Sequence, residues 1–310
     1  MSKILAVFGA TGIQGGSLIK YVLRDSELSQ RYKIRAITRD VNSENAKKLS
    51  DVVEVVQGDA LDKSSLITAL SGVNTVFAMT TPAFTPNAVE DEFNVGKTIA
   101  DAAVESGVNY FIFSTLPSPL EFTKGKYTKV TPFDAKAKIE QYVRTLPIKS
   151  AFYSPAFFMQ NFATQPFLGP RKDENGVWTL RRSTSSKALY PYIDATGNTG
   201  NFIGAILADP EKYKGKTLCA AQGFYTMDEI VAILTKTSAQ DVVYKQLSRE
   251  EMRNTLPFAP ELFDEGLAVL EDFGYWGVES EALVAEGLGS VRGKLTTLEE
   301  YLTENPLQLV

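Results

Sequence analysis

Residues Ile4 to Gly16 read ILAVFGATGIQGG, an apolar run that breaks into Gly9, Gly12 and Gly15 and passes at once into the helical pattern SLIKYVLRD. A strand, a glycine turn and a helix start in that order gather free backbone N–H groups and the positive end of a helix dipole around one point, which suits a pyrophosphate. Gly9 permits the tight turn, Gly12 lets the backbone approach phosphates with no Cβ in the way, and Gly15 lets helix pack on strand. A glycine triplet alone is weak, but its position after an apolar strand and before an amphipathic helix is the context of a dinucleotide fingerprint.

The second strand, KIRAITRD, decides which dinucleotide, because its carboxyl end meets the adenosine ribose. Thr38 and Arg39 come first there, a hydroxyl and a guanidinium fitted to a 2′-phosphate, so NADP is expected. Asp40 stands against this. A strand ending one residue later would make it the ribose ligand and turn the preference toward NAD.

The chain of 310 residues is 44% hydrophobic and fits one extended α/β domain or one domain with a substrate-binding lobe. A net charge of −5 with only isolated basic pairs, such as Lys47-Lys48 and Arg171-Lys172, argues against direct nucleic-acid binding. The sequence contains 0 histidines, which removes the commonest general base and metal ligand together with every Ser-His or Cys-His pair; no metal site is expected. Cys219, the 1 cysteine, sits in the apolar run TLCAA and reads as a buried structural thiol in a reducing compartment. The first strand begins at the N-terminus and no apolar stretch approaches the roughly 18 residues of a membrane span, so a cytoplasmic protein, also present in the nucleus, is expected.

Short β-branched runs then alternate with helical patterns: KIRAIT, SENAKKL, VEVVQGD, KSSLITALSG, NTVFAMT, EDEFNVGKTIADAAVESG, YFIFSTL, a polar loop 117–132, FDAKAKIEQYVRTL and KSAFYSPAFF. This predicts a Rossmann-type doubly wound parallel sheet over 1–157. From Met159 the alternation loosens into loop and hairpin patterns. A smaller C-terminal α+β substrate or partner lobe is therefore expected over 158–310, with part of 190–225 returning to the first domain.

Several segments together resemble the NmrA-like group of atypical short-chain dehydrogenases/reductases. They are GATGIQGG (9–16), Thr38-Arg39, VVQGD (55–59), FDAKAKIEQYV (133–143) and SPAFFMQNF (154–162). The resemblance implies an NADP-holding Rossmann domain, a substrate lobe and a cleft between them. In the glycine turn it implies cofactor contacts from Gly9, Thr11, Gly12, Ile13, Gln14 and Gly15. It places Gly58, Asp59 and Ala60 around the adenine, and Met79, Thr80, Thr81 and Pro82 beside the ribose and pyrophosphate. Asn94, in FNVGK, is a polar neighbour on the next helix, with a plain helix-surface asparagine as the equal alternative. Lys136 is the residue implied to bond the nicotinamide ribose and to place positive charge beside the ring, which makes it the catalytic candidate. Thr115, Pro155 and Phe158 complete the cofactor set, and the stretch Phe157, Phe158, Met159, Asn161 and Phe162 passes the nicotinamide. Plain lobe core is the equal alternative for those aromatics.

The family's usual tyrosine four residues before the lysine is missing, because position 132 is Pro. Ser114 and Thr115 end strand five, but without that tyrosine they cannot complete a Ser-Tyr-Lys relay, and Tyr127 and Tyr142 lack the spacing to face Lys136. Two functions follow from the resemblance. One is an NADP(H) sensor that contacts a regulatory protein partner. The other is an NADPH-dependent reductase of a small apolar quinone, enone or carbonyl compound. The missing tyrosine favours the sensor; Lys136 and the aromatic stretch fit either.

Overall fold

Along the first strand, β1 (Lys3–Val7), the apolar side chains alternate between two cores: Leu5 and Val7 fall in one, Ala6 and the following Phe8 in the other. A strand whose two faces are both buried must lie between two layers of helices, which is why these runs are apolar throughout. The computed structural model describes residues 2–309. In it β1 is followed by β2 (Tyr32–Thr38), β3 (Glu54–Gln57), β4 (Thr75–Ala78), β5 (Tyr110–Ser114) and β6 (Lys149–Pro155), each reached through a helix. These six and the later β11 (Thr217–Ala220) form one seven-stranded sheet in the order β11-β6-β5-β4-β1-β2-β3, with every pairing parallel. The order reverses between β1 and β4, which opens a crevice at the carboxyl ends of the strands. The expected doubly wound sheet is present.

One face carries helices Ala88–Glu105 and Thr131–Thr145, packed through Ile99, Ala102, Ile139 and Val143. The other carries helices Ile13–Arg24 and Ala195–Ala208. Their close approach depends on small residues: a Cβ on Gly200 would lie 2.2 Å from Tyr21 Cβ, and one on Gly204 2.4 Å from Tyr21 Cε1.

The stretch KSAFYSPAFF, read as one strand, is two. β6 ends at Pro155, and β7 (Phe157–Phe158) pairs instead with β10 (Tyr190–Ile193), which also pairs with β12 (Gly223–Tyr225) in a separate three-stranded sheet. The switch turns Phe157 onto Tyr275, ring centroids 4.8 Å apart, where continuing β6 would have left the ring on the main sheet. A third sheet holds β8 (Arg171–Lys172), β9 (Trp178–Arg182) and β13 (Val242–Gln246). The polar loop 117–132 contains a short helix, Pro119–Phe122, because Ser118 caps it and Pro119 occupies its first turn. Cys219 lies buried in β11, where desolvation pushes its thiol up to about 12. No described helix is long and apolar enough to cross a membrane.

Candidate functional site

Gly9 follows β1 with φ of +62°, a left-handed conformation that a side chain strains. The turn closes with the Gly12 N–H donating to the Gly9 carbonyl at 2.9 Å, and helix Ile13–Arg24 begins there. Its N-cap is Gly12, which has no side chain to satisfy the first-turn N–H groups, and no acidic residue stands in that turn. The three glycines do different work. A Cβ on Gly15 would sit 2.3 Å from the Gly9 carbonyl oxygen, so this position is closed by the fold itself. A Cβ on Gly12 would meet only that oxygen, at 3.3 Å, and otherwise open space. Gly9, Thr11, Gly12 and Ile13 are exposed while Gln14 and Gly15 are buried, so the turn presents a bare backbone cradle on one side and packs on the other. An anionic pyrophosphate fits such a cradle, and a side chain at Gly12 would fill it.

Because the sheet is parallel, the other strands end on the same edge. β2 stops at Thr38, so Arg39 is the first residue beyond it. Asp40 is occupied locally: its Oδ1 accepts the Asn42 N–H at 2.8 Å, and its carbonyl accepts the Ser43 hydroxyl at 3.0 Å. Arg39 is exposed and makes no ion pair or side-chain hydrogen bond among the described residues. Beyond β3, Asp59 accepts the Leu61 N–H at 3.0 Å while its own N–H donates to Ser65 Oγ at 2.9 Å, a turn that holds Gly58 and Ala60 at the edge. Beyond β4, Met79 packs against Gly9, Thr80 is buried, and Thr81 is exposed.

Lys136 lies on the buried stripe of helix Thr131–Thr145, one turn from Ile139, with a side chain only 10% exposed. Its Nζ pairs with Glu92 Oε1, a carboxylate whose side chain is 1% exposed, and also donates to the Thr80 carbonyl at 3.2 Å and Thr80 Oγ1 at 3.3 Å. The Thr80 hydroxyl donates to the same Glu92 oxygen at 2.6 Å. Desolvation lowers the lysine's proton affinity, and the attraction of Glu92 works against that. On helix Ala88–Glu105 the sequence offered Asn94 as a polar neighbour, with a plain surface asparagine as the equal alternative, and the second holds. Asn94 is exposed, because it lies off the stripe formed by Glu92, Gly96 and Ile99, and Glu92 is the residue that faces Lys136. A carboxylate in step with an apolar stripe was the sequence signal available for it.

Ser114 ends β5 and donates to Gln14 Oε1 at 2.7 Å, which ties the glycine turn to the second half of the sheet. The Thr115 hydroxyl donates to the Lys136 carbonyl at 3.3 Å. Neither nearby tyrosine turns toward this group: Tyr127 donates to Asp272 at 2.6 Å and Tyr142 to Asp101 at 2.5 Å.

Next to Lys136 is a cavity of about 440 Å³. Gln14, Met79, Thr80 and Pro82 reach it from the first half of the sheet; Thr115, Lys136, Pro155 and Phe158 reach it from the second. The structure thus gathers eight of the residues implied to touch the cofactor at one cavity, together with Phe157, Asn161 and Phe162 of the stretch expected at the nicotinamide, and leaves Gly9, Thr11, Gly12, Thr38, Arg39, Gly58, Asp59 and Ala60 along the open strand edge. Among the other walls are aliphatic residues and four aromatic ones from parts of the chain the sequence reading had not assigned to a site: Tyr190 and Tyr192 of β10, Phe263, and Tyr275. Met159, expected at the nicotinamide, is fully buried and does not line the cavity. At the rim Phe84, 67% exposed, stands edge-on to Phe258 with centroids 6.1 Å apart.

Comparison with known proteins agrees with this geometry. A family model described as NmrA-like family matches residues 1–302. The NmrA-like family domain-containing oxidoreductase FrzB of Cladobotryum sp is 30% identical over 261 residues, spanning 79% of this chain and 76% of that protein. Among solved structures, NmrA, a negative transcriptional regulator, has a TM-score of 0.81 at 22% identity, over 98% of this chain and 95% of its own, a likeness of fold. The Citrobacter sp. triphenylmethane reductase, solved in complex with NADP(H), has a TM-score of 0.72 at 26% identity, over 98% of this chain and 100% of that one.

Proposed function

We propose, for a chain that belongs to the NmrA-like family, that it is an NADPH-dependent reductase of a small, planar, largely apolar substrate. The observation that carries this reading is the aromatic cavity of about 440 Å³ with Lys136 in its wall. The nicotinamide would take the part of this space bordered by Gln14, Met79, Thr80 and Lys136, and the aromatic part bordered by Phe157, Phe162, Tyr190, Tyr192 and Tyr275 offers an apolar surface to a second small molecule. The similarity to an oxidoreductase and to a reductase that binds NADP(H) supports it.

The residues present fit the cofactor. The bare turn from Gly9 to Gly15 would hold the pyrophosphate, Arg39 the 2′-phosphate, and the turn at Asp59 the adenine. When bound there, the nicotinamide would supply hydride to a polarised acceptor. Lys136 stands at the cavity wall, held in position by Glu92 and Thr80, and in its charged form it would stabilise negative charge developing on a substrate oxygen. The aromatic walls would keep water away from that oxygen and so strengthen the effect.

Steady-state NADPH oxidation against a panel of quinones, enones and triarylmethane dyes tests the reading. Turnover dependent on Lys136 is expected. Tight NADPH binding with no turnover on any of these classes would sink it in favour of a second reading, the nucleotide sensor with a protein partner. That second reading has its own support: Lys136 is already paired with Glu92, and no tyrosine hydroxyl reaches it. For either reading a reducing compartment, the cytoplasm, suits the lone buried cysteine, and the sensor would also work in the nucleus.

The cofactor preference follows from the end of β2. One charge-assisted contact from Arg39 to a 2′-phosphate is worth about 1.5–3 kcal/mol, so NADPH should bind about tenfold tighter than NADH or more. Arg39→Ala should remove most of that margin in calorimetric titrations with both cofactors. An unchanged margin would pass the selection to another residue.

A further inference from the structure

Among the described residues the cavity wall carries two charged side chains, Lys136 and Arg182, and no carboxylate. Lys136 is balanced by Glu92 behind it. Arg182, at the end of β9, is 6% exposed and forms no ion pair among the described residues. Its guanidinium donates to two main-chain carbonyls, Arg181 at 2.6 Å and Leu168 at 2.7 Å. A guanidinium has five N–H donors, so most of its donor capacity is unspent. Near it Tyr192 is 6% exposed, and its hydroxyl has no hydrogen-bond partner among the described residues. The positive charge of Arg182 acts on that phenol, whose proton is nevertheless held up to about 12 by burial. The one sealed, unpartnered side-chain polar atom among the described residues is Ser106 Oγ. Arg182 Nε and the Tyr192 hydroxyl, which have no partner among the described residues, are therefore not sealed off, and both residues line the cavity.

A buried cation without a counter-ion is costly unless something supplies the opposite charge. We propose that Arg182, with Tyr192, is the specificity-determining group of this cavity, and that the substrate is an aromatic compound bearing an anionic oxygen, a carboxylate or an acidic phenolate. This rests on the reading of the cavity as the substrate site. The stacked ring of Phe162, 5.5 Å from Tyr192 at 27°, and the tilted ring of Phe157, 6.0 Å away, give the aromatic body a surface to lie on while the anion meets the guanidinium. A neutral substrate would leave the arginine desolvated and unpaired. An anionic one completes it, and the planar fork suits a carboxylate better than an ammonium would.

The test is calorimetry on the protein saturated with NADPH, using 2-naphthoate and its neutral counterpart 2-naphthalenemethanol. Wild type should bind the carboxylate at least about tenfold tighter, the scale of one charge-assisted pair. Arg182→Met should abolish the preference and Arg182→Lys should keep part of it, with thermal unfolding recorded for both because Arg182 also holds the Leu168 carbonyl. Equal affinities in wild type, or no binding of naphthoate at all, would overturn the proposal without recourse to any variant, as would an undiminished preference in a folded Arg182→Met protein. Parallel NADPH oxidation with a neutral naphthoquinone and with a naphthoquinone bearing a carboxylate keeps the two questions apart. Absence of turnover on both together with a naphthoate preference counts against the reductase reading alone, and turnover without the preference counts against Arg182 alone.

Discussion

Gly12→Val leaves the protein folded and lowers NADPH affinity by at least about 100-fold, a loss near 2.7 kcal/mol. The fold survives because a Cβ at position 12 meets only the Gly9 carbonyl oxygen at 3.3 Å, and the residue has φ of −95° in the extended region open to any side chain. Binding fails because the branched side chain occupies the space in front of the first-turn N–H groups, where a pyrophosphate has to sit. Gly15→Val is the contrasting case. Its Cβ would lie 2.3 Å from the same oxygen and 2.7 Å from the Gly9 carbonyl carbon, so helix and turn must separate. That variant should lose stability at or above the upper end of the usual overpacking range of about 1–3 kcal/mol. Calorimetric titration and thermal unfolding of both proteins check the pair. Tight NADPH binding by folded Gly12→Val would mean the cradle is not the phosphate site.

The turn was legible in the sequence because its signal is local: a glycine at each of three positions has a backbone reason that operates within a dozen residues. The same holds for the end of β2. Its apolar run stops at Thr38, which puts Arg39 first beyond the strand, with Asp40 exposed beside it and bonded to the Asn42 N–H through one oxygen. What was not legible depends on contacts distant in sequence. Tyr190, Tyr192 and Tyr275 reach the cavity only because β7 leaves the main sheet to pair with β10, a two-residue pairing with no period to detect. β13 was missed for a related reason: VVYKQ is short and exposed on its outer positions, and its partner β9 lies over fifty residues earlier in the chain. Lys136 was found by its motif, but its partner was not. Glu92 is a carboxylate inside the helical pattern EDEFNVGKTIADAAVESG, and only the packing of that helix on Thr131–Thr145 brings the two charges together.

That pairing yields the second large effect. Breaking a buried ion pair by removing one partner typically costs about 3–5 kcal/mol, because the charge left behind is desolvated without compensation. Lys136→Met and Glu92→Gln should each therefore destabilise the protein by that order. The double variant should be more stable than either single one, with an interaction energy of at least about 2 kcal/mol in the cycle. Thr80 sharpens the expectation, since its hydroxyl donates to the Glu92 oxygen that pairs with Lys136, and a Gln at position 92 keeps an acceptor for it. Activity separates the two proposed functions on the same variants. In a reductase, Lys136→Met and the double variant both lose about 10²-fold in turnover, the usual scale for a positioned acid or electrostatic group. Most NADPH affinity is kept, because the glycine turn and Arg39 are untouched. In Glu92→Gln the lysine remains but loses its counter-charge, so kcat should shift in its pH dependence more than in its maximum. Additive single effects in thermal unfolding would show that the two charges act independently. Wild-type turnover in a folded double variant would show that the buried pair is structural and that the proton or charge comes from another residue of the cavity.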